Sequence, residues 1–215
     1  MIRLCFKSVL YLALMIGFST AKAGAYEDFF KAITFDDVRS IDALLARGFD
    51  PNARDEKGQT PLFLSLREGA FKVATSLLGQ PQTRLDLANA AGETALMMAA
   101  LKGQTDWVQR LLDCGARLES PAPPAWTALH YAASGPEPRT VALLLARGAL
   151  VDARSPNGTT ALMMAARYGH EDGVQLLLQK GADARLRNDL DLGAADFARQ
   201  AGREKLSAAL APLAR

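Results

Sequence analysis

The chain has 215 residues, 49% of them hydrophobic and 22% charged, with a formal net charge of +2. Such a chain can bury a full core, and its 17 glycines and 10 prolines, which follow no strict period, exclude collagen-like and low-complexity classes. A near-balanced charge also argues against a broad electrostatic hold on nucleic acid or anionic lipid.

At the N-terminus, Arg3 and Lys7 precede an apolar run from Val9 to Phe18 that only Tyr11 and Gly17 interrupt, and Ala21-Lys22-Ala23 is a small-x-small site. This is the pattern of a secretory signal peptide, with cleavage expected after Ala23 or Ala25 and the periplasm as destination. A run of about ten apolar residues is far short of the roughly 20 that cross a bilayer. Cys5 lies before the run and does not read as a lipoprotein cysteine. Removing residues 1–23 takes away Arg3, Lys7 and Lys22, leaving 22 basic and 23 acidic residues. The mature unit, residues 24–215, therefore has no basic bias, and neither a nucleic acid nor a membrane is expected as its partner. Its one cysteine, Cys114, precedes Gly115 and reads as a partly buried spacer, with no second thiol to form a disulfide.

The rest of the chain repeats itself. Thr60-Pro61-Leu62, Thr94-Ala95-Leu96, Thr127-Ala128-Leu129 and Thr160-Ala161-Leu162 follow one another at steps of 34, 33 and 33 residues. Each threonine is placed to cap a short helix. Glycines Gly58, Gly92 and Gly158 punctuate the turns before these triplets, Leu-Leu pairs such as Leu111-Leu112 mark second helices, and Gly48, Gly115, Gly148 and Gly181 stop them. Two antiparallel helices and a turn per unit, stacked as a solenoid, are predicted.

Taken in order, residues 26–54 form an atypical first unit, with Phe29, Phe30 and Ile33 on one helix and Val38, Ile41, Leu44 and Leu45 on the next. Residues 55–88 form the second, whose exit has Pro81 where a helix-stop glycine is expected and reads as a looser loop. Residues 89–119 form the third, with Trp107 assigned to the core between units. The fourth, 120–154, departs most, since Ser120-Pro121-Ala122-Pro123-Pro124-Ala125 replaces the usual turn. Met97-Met98 in the third and Met163-Met164 in the fifth, 155–187, read as adaptable packing. Residues 188–215 form the closing unit, its apolar face Leu206, Leu210 and Leu213. Terminal units must face water on one side, which accounts for their divergence.

These markers, in register over nearly the whole mature chain, resemble the ankyrin repeat, whose unit runs turn, T-P-L-H-x-A-A, Gly, L-L, G-A-D. The resemblance implies an all-α solenoid of helix-turn-helix units joined by hairpin-like loops. It also implies that His130 is a structural residue that hydrogen-bonds the neighbouring hairpin, and that His170 belongs to the common Gly-His pair. It further implies a concave binding surface made of hairpin tips and the exposed ends of first helices. Mapped here, that surface comprises Glu56, Lys57, Gln59, Arg67 and Glu68 in the second unit. It continues through Ala91, Glu93, Leu101 and Lys102, then Trp126 and Ser134, then Asn157, Thr159, Arg167 and Tyr168. Trp126, Arg167 and Tyr168 are of the types that dominate protein interfaces, although an aromatic residue at position 126 can equally pack on its neighbour's hairpin.

No G-x-S-x-G, H-E-x-x-H, paired-cysteine spacing or phosphate-binding glycine loop is present. No catalytic residue, metal or cofactor is therefore expected; a hydrolase or redox protein using His130 or Cys114 is the weakest alternative. The expectation is a monomeric, non-enzymatic module that binds another protein. The residues do not identify that partner; resemblance to exported bacterial ankyrin proteins implies two alternatives, an immunity protein neutralising a toxin or an accessory factor of a periplasmic oxidative-stress enzyme such as a catalase.

Overall fold

Each T-[PA]-L threonine leaves the extended region and opens a helix. Thr60 and Thr94 do so with Oγ1 accepting from the backbone N–H three residues on, Phe63 and Met97, at 3.4 and 3.3 Å. A computed structural model describes residues 20–119 and 125–214, with side chains from Gly24. The apolar run Val9 to Phe18 and most of the proline-rich loop, Ser120 to Pro124, lie outside the described residues. Among those described the chain is all helix, with no strand.

The helices come in pairs: α1 Thr20–Thr34 with α2 Val38–Ala46, α3 Pro61–Glu68 with α4 Phe71–Leu78, and α5 Ala95–Leu101 with α6 Thr105–Asp113. Then follow α7 Ala128–Ser134 with α8 Pro138–Ala146, α9 Ala161–Tyr168 with α10 Glu171–Gln179, and α11 Ala194–Gln200 with α12 Glu204–Leu210. A short 3-10 turn, Ala211–Ala214, ends the described chain. First helices stack on first helices from α1 to α11, and second helices form a separate layer behind them. Among the described residues no helix is long and apolar enough to cross a membrane.

Small residues bring the first helices close. Ala99, Ala100, Ala132, Ala133, Ala165 and Ala166 are all buried where one first helix meets the next. The core continues through the leucines of both layers, and its N-terminal end is closed by aromatic packing, with Phe29 stacked on Phe49 at 4.2 Å between ring centroids and Tyr26 tilted against Phe30 at 4.9 Å. Second helices stop as expected at left-handed glycines, Gly48, Gly115, Gly148 and Gly181, with φ of 85°, 94°, 92° and 90°. The second unit lacks such a glycine, but its exit loop is tied down. Thr83 Oγ1 donates to the Leu77 carbonyl at 2.6 Å, and Asn52 bridges to it, donating to the Gln82 carbonyl and accepting from Arg84 N. Trp107 is buried as expected, stacked on Phe71 at 5.7 Å with the Arg110 guanidinium 4.1 Å from its ring.

One inter-unit device was not visible in the sequence. Asp36 adopts φ 51°, where the corresponding residues of other units are glycines, and its Oδ1 accepts from the N–H groups of Lys72 and Val73, both at 3.0 Å. It thereby caps α4, whose own N-cap residue, Ala70, offers no side-chain acceptor. Asp36→Gly keeps the backbone conformation and removes the acceptor, and is expected to cost about 1 kcal/mol. Asp36→Asn keeps an acceptor and should stay within about 0.5 kcal/mol of the parent. Paired urea titrations measure both.

Candidate functional site

The ends of three successive first helices frame a cleft of about 230 Å³. Leu101 ends α5, Tyr131 and Ser134 lie on α7, and Met164 and Tyr168 on α9; Trp126, just before α7, completes the lining with His130 beneath it. The lining is overwhelmingly apolar. Tyr168 stands at the mouth of the cleft, 59% exposed. The Trp126 indole is half-buried and set edge-on to His130, with ring centroids 5.3 Å apart. Ser134 turns its hydroxyl back onto its own helix, donating to the His130 carbonyl at 2.9 Å. The polar atoms at the floor are thus already engaged.

His130 is fully buried, and its two nitrogens are both committed. Nδ1 accepts from the Thr127 backbone N–H at 3.1 Å, so it carries no proton; Nε2 is then the protonated nitrogen and donates to the Thr159 carbonyl, 3.0 Å away, in the next unit. Burial holds its pKa below the usual 6.5, against the opposing pull of the carbonyls of Thr159 and Ala153, which favour the charged form. A neutral imidazole with no free nitrogen staples two units and offers nothing to a substrate. In the third and fifth units the same place is taken by Met97 and Met163, whose Sδ atoms accept from the N–H of Thr94 and Thr160 at 3.5 Å each. The methionines therefore do more than fill space. Tyr131 donates its hydroxyl to Glu93 Oε1 at 2.9 Å, and its pKa is raised, first by burial and then by that carboxylate.

A family model described as ankyrin repeats in three copies matches residues 29–122 and 108–188. The chain belongs to the ankyrin-repeat family. Ankyrin repeats are protein–protein interaction modules, and the curated relatives include NF-kappa-B inhibitor alpha of Sus scrofa, 36% identical over 88 residues, 38% of this chain and 28% of that protein. Another is a probable E3 ubiquitin-protein ligase of Oryza sativa, 33% identical over 119 residues, 53% of this chain and 26% of the relative. The ankyrin chain spans less than a third of the length of these relatives. Among solved structures, it resembles a chain in the complex of a predatory endopeptidase from Bdellovibrio bacteriovorus with an immunity protein. The TM-score is 0.72 and the identity 29%, over 86% of this chain and 97% of that one.

Set on the ankyrin solenoid, the surface residues expected from sequence divide into separate groups. Leu101, Trp126, Ser134 and Tyr168 meet in the cleft, joined by Tyr131, Met164 and the edge of His130, which sequence reading did not include. Arg167 borders it, its Cζ 5.2 Å from the Tyr168 ring and 5.9 Å from Phe197, with Nη1 donating to Gln200 Oε1 at 3.2 Å. Lys102 is exposed immediately after Leu101. Glu93 accepts from Tyr131 and from Asn89 Nδ2 and so serves the scaffold. Arg67 is held by Gln59 at 2.6 Å and Glu68 at 2.7 Å. Glu56 and Lys57 lie elsewhere, around a wider groove of about 770 Å³ beside Tyr26 and Phe30. Asn157 is exposed, but its Oδ1 accepts from the Ser155 hydroxyl at 2.6 Å and shapes the turn.

Two expectations are corrected. Thr159 is only 1% exposed. Its N–H donates to Ser155 Oγ and its carbonyl accepts from His130, so it belongs to the frame and presents nothing to a partner. Cys114 is exposed rather than partly buried, because it is the cap residue at the end of α6, beyond the last turn that faces the core. Among the described residues no three His, Cys, Asp or Glu side chains are placed to hold a metal ion.

Proposed function

We propose that this chain is an exported, non-enzymatic binding protein that holds one partner protein against the cleft formed by Trp126, Tyr131, Met164 and Tyr168. The observation that carries the reading is the cleft itself: an apolar recess with an exposed tyrosine at its mouth, on the face of the first-helix ends that ankyrin stacks use for recognition. Export rests on the charged, apolar and small-x-small segments of residues 1–23, with a periplasmic, monomeric mature form beginning after Ala23 or Ala25. A non-enzymatic role is supported by the two commitments of the His130 ring and by the isolation of Cys114.

One observation favours a narrower second reading. The solved neighbour comes from a complex of a predatory endopeptidase with an immunity protein, and the likeness covers almost all of the matched chain. On this reading the partner is a peptidase that the chain keeps from acting in its own cell.

Placing a photo-crosslinking phenylalanine at Tyr168 or at Gln175, exposed on the second-helix layer, tests the proposal in cells. One adduct is expected from position 168 and none from 175. Adducts from 175 alone would put the interface on the opposite side and end the proposal. Identification of the adduct as a peptidase, inhibited by the purified chain, would establish the narrower reading.

A further inference from the structure

Resting on the binding reading above, we propose that Met164 is an oxidation site, and that its conversion to the sulfoxide by a hydroperoxide releases the partner from the cleft. Four methionines lie among the described residues, and three of them are shut away: Met97, Met98 and Met163 are 5%, 6% and 1% exposed. Met164 alone among the four is only partly buried, and it lines the cleft. The repeat explains the difference. Met98, Tyr131 and Met164 hold the same place in successive first helices, four residues after the capping threonine. Tyr131, in the middle, gives its hydroxyl to Glu93 in the third unit, the unit of Met98, so its ring is tied to that side. The methionine on the other side is the one that meets the cleft.

An oxidant must reach a lone pair on sulfur. In Met97 and Met163 that atom is buried and also accepts the N–H of Thr94 and Thr160, at 3.5 Å each, so two obstacles stand in the way. At Met164 the lone pair attacks one oxygen of hydrogen peroxide, the O–O bond breaks, and the proton of the transferred oxygen passes to the departing one, which leaves as water. Sulfur loses two electrons and the peroxide gains them. The product is polar where the thioether was not. Its oxygen holds water while the cleft is open and must give that water up when a partner covers it. Donors at the floor offer no replacement: the Ser134 hydroxyl is spent on the His130 carbonyl, the Tyr131 hydroxyl on Glu93, and the His130 Nε2–H on the Thr159 carbonyl. Oxidation therefore weakens docking at the recess while the three buried methionines keep the stack intact.

Peptide mapping by mass spectrometry after graded hydrogen peroxide tests the site, on a Cys114→Ser chain so that the exposed thiol does not compete for oxidant. Met164 sulfoxide is expected well ahead of the sulfoxides of Met97, Met98 and Met163; oxidation of the four together, or of Met164 last, would overturn the proposal. The release is tested on the same chain carrying the photo-crosslinker at position 168, oxidised, freed of peroxide and mixed with untreated extract of its own cells. Roughly tenfold more oxidised chain should be needed for the same adduct, the effect of one polar group covered without a partner. A Met164→Leu chain treated alike should keep its adduct. Reduction by a methionine sulfoxide reductase with a dithiol, which removes the oxygen as water, should restore the parent's. An adduct indifferent to the sulfoxide, or an equal loss in Met164→Leu, would end the release. No adduct before oxidation would sink the binding reading and the release with it, while the mapping separately decides whether Met164 is the oxidation site.

Discussion

Gly169→Ala is expected to lower the stability of the chain by about 3 kcal/mol, the upper end of what overpacking costs. The reason is space and not backbone conformation, because φ −85° and ψ −179° at Gly169 are open to any residue. A Cβ there would lie 2.2 Å from the Ala133 carbonyl oxygen and 3.0 Å from Ala165 Cα, and both are backbone atoms that cannot swing aside. The fourth and fifth units would have to separate, moving Tyr168 with them. Gly173, four residues on, gives the opposite result. It lies inside α10 with nothing within 4 Å of its would-be Cβ, so Gly173→Ala should stabilise by about 0.5–1 kcal/mol through helix propensity. Urea midpoints at unchanged m-value report both. A Gly169→Ala chain as stable as its parent would mean that the first helices are not in the close contact described.

His130→Ala is expected to cost about 3 kcal/mol, since it removes a fully buried ring and strands the Thr127 N–H and the Thr159 carbonyl together. His130→Met should cost less, about 1–2 kcal/mol, because Met97 and Met163 show that a thioether can receive the same N–H. The two variants also differ from the parent in pH response. With the pKa of His130 depressed in the folded chain and near 6.5 in the unfolded one, the unfolded chain takes up a proton first as pH falls. The contribution of His130 is therefore fully present above about pH 6.5 and is lost below it, until the folded ring protonates as well. Melting curves from pH 8 to 5 should show a decline in the parent that is smaller in His130→Met. Equal declines would assign the pH response to other groups.

The parts of the fold that were legible in the sequence are those whose chemistry is local. A threonine that caps a helix needs its partner three residues away, and a helix-stop glycine needs only a left-handed φ, so both can be read from spacing. Thr159 was misplaced because its carbonyl is taken by His130, 29 residues earlier, and the alternation of exposed and buried positions in the turn does not show in its composition. The role of Asp36 depends on amide groups 36 and 37 residues ahead, which no local spacing reveals. The cleft was half legible. Trp126 and Tyr168 stand out by type, whereas Tyr131 and Met164 become lining residues only when three units are set side by side in register.

Arg203 places the far wall of the cleft under the control of the last helix pair. From the loop before α12, its Nη1 reaches the carbonyls of Ala165, Ala166 and Gly169 at 3.0, 3.0 and 2.9 Å, bracketing Tyr168 on either side. The terminal unit is thus a setscrew for the recognition surface as well as a cover for the core. A cut, fusion or tether acting on the final helices would slacken the end of α9 and change the angle of the tyrosine without touching any residue of the recess.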